Sequence, residues 1–267
     1  MFEVKNLSKE FGNVTAVHNI SFNIDSPQMI GVIGRSGAGK STLLRILNRL
    51  TDATSGEVLL DGKNVLKLKG RKKLEWHRRC AMIFQQFNLV PRLDVLTNVI
   101  LGRLNEQSVL RSSLKFFTEE ERTAALILLD RFGVAETSLQ RAETLSGGQQ
   151  QRVAICRAMM QSPEFILADE PIASLDPLNA RLVMDALHDI NKKEKITIIC
   201  NLHTLDTARN YCDRVIGMRA GEMVFDNAPS ELTDQMVREI YGAEADDAFE
   251  AGITSTSLEA TPKAAAG

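Results

Sequence analysis

The sequence predicts an α/β fold, a βα core interrupted by a mostly helical insertion. Three observations predict it. A short apolar run at Met29–Ile33 feeds a glycine-rich loop and then a helical pattern. Further short apolar runs return at residues 165–168, 196–200 and 215–218, as for strands covered on both faces. Between residues 94 and 160 the apolar spacing is helical instead.

Each element has its own signal. The first five residues enter a strand pattern at once and lack the shape of a signal peptide. Ile20, Phe22 and Ile24 alternate with Ser21 and Asn23, which reads as a half-buried strand. Asp25-Ser26-Pro27-Gln28 is a turn. The helix after the glycine-rich loop carries Leu43, Leu44, Leu47 and Leu50 on one side. Residues 57–60 followed by Asp61-Gly62 read as a strand entering a hairpin turn. Residues 67–79 hold Lys67, Lys69, Arg71, Lys72, Lys73, Arg78 and Arg79, a solvated helix face in preference to a lipid-facing patch. Residues 81–84 form another apolar strand.

In the insertion, Val95, Leu96, Val99 and Ile100 fall at helix spacing. Thr118 and Glu121 form a capping box, with Leu126, Leu129 and Phe132 on one face and Gly133 as the stop. A third helix follows Ser146. Asp176-Pro177 opens a helix whose buried stripe is Leu182, Val183, Ala186, Leu187 and Ile190. Past Gly242 the chain is rich in Ala, Glu, Asp, Ser and Thr without a periodic apolar face, so residues 243–267 are expected to be disordered or weakly ordered.

Composition narrows the class. The 267 residues are 44% hydrophobic and 25% charged, ordinary for a soluble globular chain. A net charge of −2 gives no sign of a nucleic-acid partner. No apolar run approaches the length of a bilayer span, so a membrane role must come through a partner. Cys80, Cys156, Cys200 and Cys212 form no C-x-x-C pair and read as reduced thiols of a cytosolic protein.

Two stretches carry phosphate chemistry. Gly34-Arg35-Ser36-Gly37-Ala38-Gly39-Lys40-Ser41 fits G-x-x-x-x-G-K-[ST] between an apolar strand and a helix. Its glycines let backbone N–H groups turn against phosphate oxygens, and the helix N-terminus adds partial positive charge. Lys40 can reach the β and γ phosphates, and the Ser41 hydroxyl can ligate Mg²⁺. Residues 165–168 then end in Asp169-Glu170. A strand end places Asp169 at the edge where α/β ligands sit. Asp169 can hold Mg²⁺ through water, and Glu170 remains free to polarise an attacking water.

Leu145-Ser146-Gly147-Gly148-Gln149, continued by Gln150-Gln151-Arg152, resembles the signature of the ABC ATPase family. Ser146 opens a helix, and the two glycines bare a backbone that favours an anion. The resemblance implies that this stretch caps ATP held by a second copy, so that two chains enclose two ATP molecules. It adds Thr42 to the phosphate loop. Phe11 resembles the aromatic that stacks on adenine, although a core phenylalanine is an equal reading. Gln85, in preference to Gln86, resembles the glutamine that touches Mg²⁺ and the attacking water. Ser174-Leu175-Asp176 resembles the loop that links the two sites, and His203 resembles the switch histidine at the γ-phosphate.

The resemblance covers about residues 2–242. It implies a P-loop NTPase core (about 1–88 and 161–242), with an antiparallel β subdomain and an inserted helical signature subdomain (about 89–160). It implies ATP and Mg²⁺ as cofactors. The implied partners are a second copy, transmembrane permease subunits and a separate periplasmic-type solute-binding protein. The implied location is peripheral, on the cytoplasmic face of the inner membrane.

A narrower likeness is to ATP-binding subunits of phosphonate importers. It rests on residues 84–90, on Asp169-Glu170-Pro171-Ile172-Ala173-Ser174-Leu175-Asp176-Pro177, and on Leu202-His203 with Tyr211-Cys212-Asp213-Arg214. Residues 103–119, with Leu110, Leu114, Phe116 and Phe117, fit that subfamily's longer helical connection. Asn201-Leu202 departs from it, since threonine or serine is usual before the histidine. An importer ATPase for another small solute is an alternative. So is a soluble ABC ATPase acting on ribosomes or DNA, but such chains carry paired nucleotide domains or long coiled coils, and this one has a single signature. A metabolite kinase would have no use for the signature, and a scaffold would not need the full catalytic set.

Overall fold

The computed structural model describes residues 1–106 and 117–242. Leu110, Leu114 and Phe116, and the tail 243–267, lie outside the described residues.

The first half builds an antiparallel sheet. Strands β1 (Phe2–Phe11), β2 (Val14–Ile24), β4 (Ser55–Leu60) and β5 (Lys63–Asn64) lie in the order β2-β1-β4-β5. The hairpin turn predicted at Asp61-Gly62 joins the last two, with both residues at positive φ, as a two-residue primed turn requires. Ile20, Phe22 and Ile24 all face the core.

The second sheet is parallel apart from one edge. It contains β3 (Met29–Ile33), β6 (Cys80–Ile83), β7 (Phe165–Asp169), β8 (Thr197–Asn201), β9 (Arg214–Arg219) and β10 (Glu222–Asn227). Their order is β10-β9-β3-β8-β7-β6, and only β10 runs antiparallel to its neighbour. Strands β3, β7 and β8 are buried at every residue, which explains their continuous apolar runs. Alternate residues feed two cores. Met29, Ile33, Ile166 and Ile198 join one apolar cluster, while Ile30, Val32, Leu167 and Ile199 join the other.

Helices cover both faces. Helix α1 (Lys40–Leu47) follows β3 and buries Leu43, Leu44 and Leu47. Leu50 does not join them: it is 50% exposed, past the helix end. The chain turns away at Arg49, which has φ +67° and whose guanidinium donates to Val65 O and Leu68 O. Helix α2 (Arg71–Arg79) keeps its cations outward and buries one residue, Trp76, whose Nε1 donates to Leu47 O at 3.0 Å.

The insertion supplies α3 (Val95–Ile100), α4 (Glu119–Arg131) and α5 (Gly147–Met159). The Thr118–Glu121 capping box forms, and Gly133 sits just past the helix at φ +65°. Leu126 points to solvent, and Ala125 takes its place beside Leu129. In α6 (Pro177–Glu194), capped by Asp176, Leu182 is likewise exposed, and Val183, Met184, Leu187 and Ile190 make the stripe. Two short helices, α7 (Leu205–Tyr211) and α8 (Asp234–Tyr241), complete the described fold. Among the described residues no helix is long and apolar enough to cross a membrane.

Candidate nucleotide site

Strand order dictates the site. Strand β8 lies between β3 and β7, so the phosphate loop, Asp169-Glu170 and Asn201-His203 emerge side by side at one sheet edge. This is where open α/β sheets hold ligands.

The loop from Gly34 to Thr42 is tightly built. Gly39 has φ +98°, and a Cβ there would lie 2.0 Å from Ala16 O of β2. Only glycine passes this point. Lys40 is buried, and its Nζ donates to Gly34 O at 2.5 Å and to Arg35 O at 2.9 Å. The ammonium is thus folded back on the loop, and the cradle has the positive centre a polyphosphate needs. No side chain caps α1 at Gly39, so its first-turn N–H groups at Ser41 and Thr42 are open to an anion. Phe11 is 51% exposed, which removes the core reading. It ends the β1–β2 hairpin that also brings Ala16 against Gly39.

Three polar side chains meet beneath the loop. Ser41 Oγ donates to Asp169 Oδ1 at 2.7 Å. Asn201 Nδ2 donates to the same Oδ1 at 2.9 Å and approaches Ser41 Oγ at 3.2 Å. Gln85 shares a cavity of about 450 Å³ with Asp169. Hydroxyl, carboxylate and amide oxygens suit a hard divalent cation. Among the described residues no group of three His, Cys, Asp or Glu could cage a metal. The donor set of one carboxylate with a hydroxyl and an amide is compatible with Mg²⁺, which one or two carboxylates and substrate phosphates commonly hold.

Glu170 follows in a left-handed conformation, φ +53°, a strained state for a non-glycine residue. Its Oε1 lies 2.7 Å from His203 Nε2. The Tyr241 hydroxyl donates to His203 O at 3.5 Å. Burial pushes that phenol up, against a weaker opposing bond from the Gly34 backbone, so it stays neutral. Helix α8 thereby touches both the phosphate loop and the histidine loop.

The signature stretch sits elsewhere. Ser146 caps α5: Gln149 N donates to Ser146 Oγ at 3.3 Å and Ser146 N to Gln149 Oε1 at 3.0 Å. A Cβ at Gly148 would meet Asn179 Oδ1 at 2.2 Å, so that glycine lets α5 pack on α6. Gly147 lies against Leu175 and Phe87. Arg157 of α5 donates to Phe87 O at 2.8 Å and Asn88 O at 2.6 Å, tying the signature helix to the segment after Gln85.

The four cysteines are buried, and burial pushes Cys80 and Cys200 up to about 12. They are inert thiols at neutral pH. Asn201 and Tyr241 are the site neighbours that motif reading missed. The signal for Asn201 was an amide closing an otherwise apolar strand; Tyr241 had none.

A phosphate loop, an Asp-Glu strand end and a serine-capped signature helix opening on two glycines define, on this sheet, an ATP-binding cassette. The ABC transporter family profile matches residues 17–173, and the chain belongs to that family as an ABC-type ATPase. It is 61% identical over 265 residues to the phosphonates import ATP-binding protein PhnC of Rhizobium johnstonii, covering 99% of this chain and 95% of that one. Its identity to the protein of the same name from Rhizobium meliloti is 61% over 258 residues, covering 97% and 92%. Among solved structures, the dimeric ATP-binding cassette MJ0796 with ADP and Pi superposes with TM-score 0.76 at 32% identity, covering 86% of this chain and 99% of that one. The cassette cbiO1 from Clostridium perfringens superposes with TM-score 0.75 at 27% identity, covering 90% and 93%.

Proposed function

We propose that this chain hydrolyses ATP to drive a membrane importer of phosphonates. The observation that carries the solute is the 61% identity, across 99% of the chain, to a relative named for phosphonate import. Residues 1–242 act as the ATPase domain, 89–160 as its helical signature part, and 243–267 as an appended tail.

The polyphosphate lies in the loop from Gly34 to Thr42, with Lys40 turned from its carbonyls onto the β and γ oxygens and adenine against Phe11. Ser41, Asp169 and Gln85 would hold Mg²⁺, which when bound would supply charge neutralisation at the phosphates. Glu170 accepts the proton of a water in line with the γ-phosphorus, and His203 leaves Glu170 to donate to the γ-phosphate. Ser146, Gly147, Gly148 and Gln149 of a second copy close the site.

Transmembrane permease subunits dock beside Gln85. A groove of about 340 Å³ there is lined by Leu50, His77, Phe84, Asn88 and Arg157, and the exposed Leu50 finds its use in it. Arg157 would pass movement of that groove to the signature helix. A separate solute-binding protein delivers the solute, and the chain works peripherally on the cytoplasmic face of the inner membrane. Cells lacking this gene should lose uptake of alkylphosphonates while keeping phosphate uptake. Unimpaired uptake, with no redundant transporter, would assign the ATPase to another solute.

A further inference from the structure

We propose that Asn201 is a positioning residue of the cation site, holding Asp169 and Ser41 for the cation and offering its own oxygen to a cation-bound water. The proposal rests on the reading that Mg²⁺ accompanies the nucleotide here.

Three observations carry it. First, placement: β8 lies between β3 and β7, and Asn201 pairs with Asp169 on one side and Val32 on the other. Its side chain is therefore the one that can touch both the phosphate-loop helix and the acidic strand end. Second, direction: Asn201 Nδ2 donates to Asp169 Oδ1 at 2.9 Å and to Ser41 Oγ at 3.2 Å. These are two of the three groups assigned to the cation. A carboxylate only accepts, so the NH₂ must face it. Third, an orphan: Asn201 is 1% exposed, and its Oδ1 has no hydrogen-bond partner. A buried amide oxygen without a donor is unfavourable and calls for an explanation. It is bonded to the same carbon as Nδ2 and so belongs to the same cluster. A water polarised by a cation is a strong donor for it. Partners that orient a metal ligand typically change metal affinity by about 10- to 100-fold when removed.

The test uses the full chain with a non-hydrolysable ATP analogue and Mn²⁺ in place of Mg²⁺. Free Mn²⁺ is read by electron paramagnetic resonance, and nucleotide binding without cation is read in excess EDTA. Asn201→Leu keeps the volume and removes both donor and acceptor. Its half-saturating Mn²⁺ concentration should rise about 10- to 100-fold, with EDTA-state nucleotide affinity unchanged. Asn201→Thr retains one hydroxyl donor and should recover most of the loss, which also covers a Leu variant that fails to fold. Mn²⁺ affinity within threefold of wild type in both variants would overturn the proposal. Equal losses with and without cation would also overturn it, since they mark a structural role. A wild-type protein whose nucleotide binding ignores Mn²⁺ would instead overturn the cation reading beneath it.

Discussion

His203 Nε2 stands 2.7 Å from Glu170 Oε1, joining the loop after β8 to the end of β7. Glu170 holds this position in a left-handed conformation that its backbone disfavours. A contact maintained against backbone strain points to a functional arrangement. The carboxylate is 17% exposed at the sheet edge, with the imidazole beside it. A group arriving with strong acceptor oxygens, such as a γ-phosphate, competes for the same N–H and frees the carboxylate.

The first prediction follows from that contact. Glu170→Gln keeps a carbonyl oxygen for His203 and removes the basicity. Positioned general-base catalysis is worth ~10²–10⁴-fold in rate, about 3–5 kcal/mol of barrier. Turnover should fall by that much while ATP binds as well or better, because repulsion of the γ-phosphate is gone. Size-exclusion chromatography with Mg²⁺-ATP should reveal a long-lived dimer for the variant and much less for the wild type. Wild-type turnover in Glu170→Gln would remove Glu170 as the base.

The second concerns Lys40. Its Nζ is held by two loop carbonyls, and the residue is 4% exposed. Lys40→Ala should abolish ATPase activity and weaken ATP binding, with an unchanged far-ultraviolet circular dichroism spectrum. Retained activity would refute the assignment of the phosphate loop.

The third concerns the second copy. Ser146 is exposed, and its cap contacts lie within α5. Ser146→Arg should spare ATP binding by the monomer and block ATP-dependent dimerisation. Mixed with Lys40→Ala protein, it can restore at most one complete site per dimer. ATP-dependent dimerisation of Ser146→Arg equal to wild type, measured by light scattering, would contradict the shared site.

The phosphate loop and the buried strands were legible because their signals are local. Residues 34–41 are contiguous, and Met29–Ile33 reads as buried because both faces are covered. The role of Asn201 was not legible, because its partners Ser41 and Asp169 lie 160 and 32 residues away. Only the strand order makes them neighbours. Leu50 was placed on the α1 face because periodicity does not show where a helix stops. Arg49 ends it by reaching two carbonyls of the segment after β5. Leu126 and Leu182 are misread faces of the same kind, in helices whose apolar stripe runs one position to the side. The twist at Glu170 leaves no trace in residue type, since glutamate rarely adopts it.

The last prediction tests how the site's strand is anchored. Asp213 Oδ2 accepts from Met29 N at 2.9 Å and its Oδ1 from Lys192 Nζ at 2.6 Å, pinning the start of β3. Partial burial would raise this carboxyl, but the Lys192 and Met29 bonds outweigh it, and the group sits below the ordinary 3.8. The sign follows. A depressed folded value means the native state favours the carboxylate, so this stability is present above the unfolded value and is lost as pH falls through the folded one. Asp213→Asn should cost on the order of 1 kcal/mol at pH 7, the loss of the charge-assisted bonds from Lys192 and Met29 N, discounted because Lys192 is partly solvent-screened. The difference between wild type and variant should shrink as pH falls below the ordinary 3.8 and through the depressed folded value. Urea denaturation at pH 7, 5 and 3 measures it. A difference that stays constant across that range would show that the anchor does not depend on the Asp213 charge.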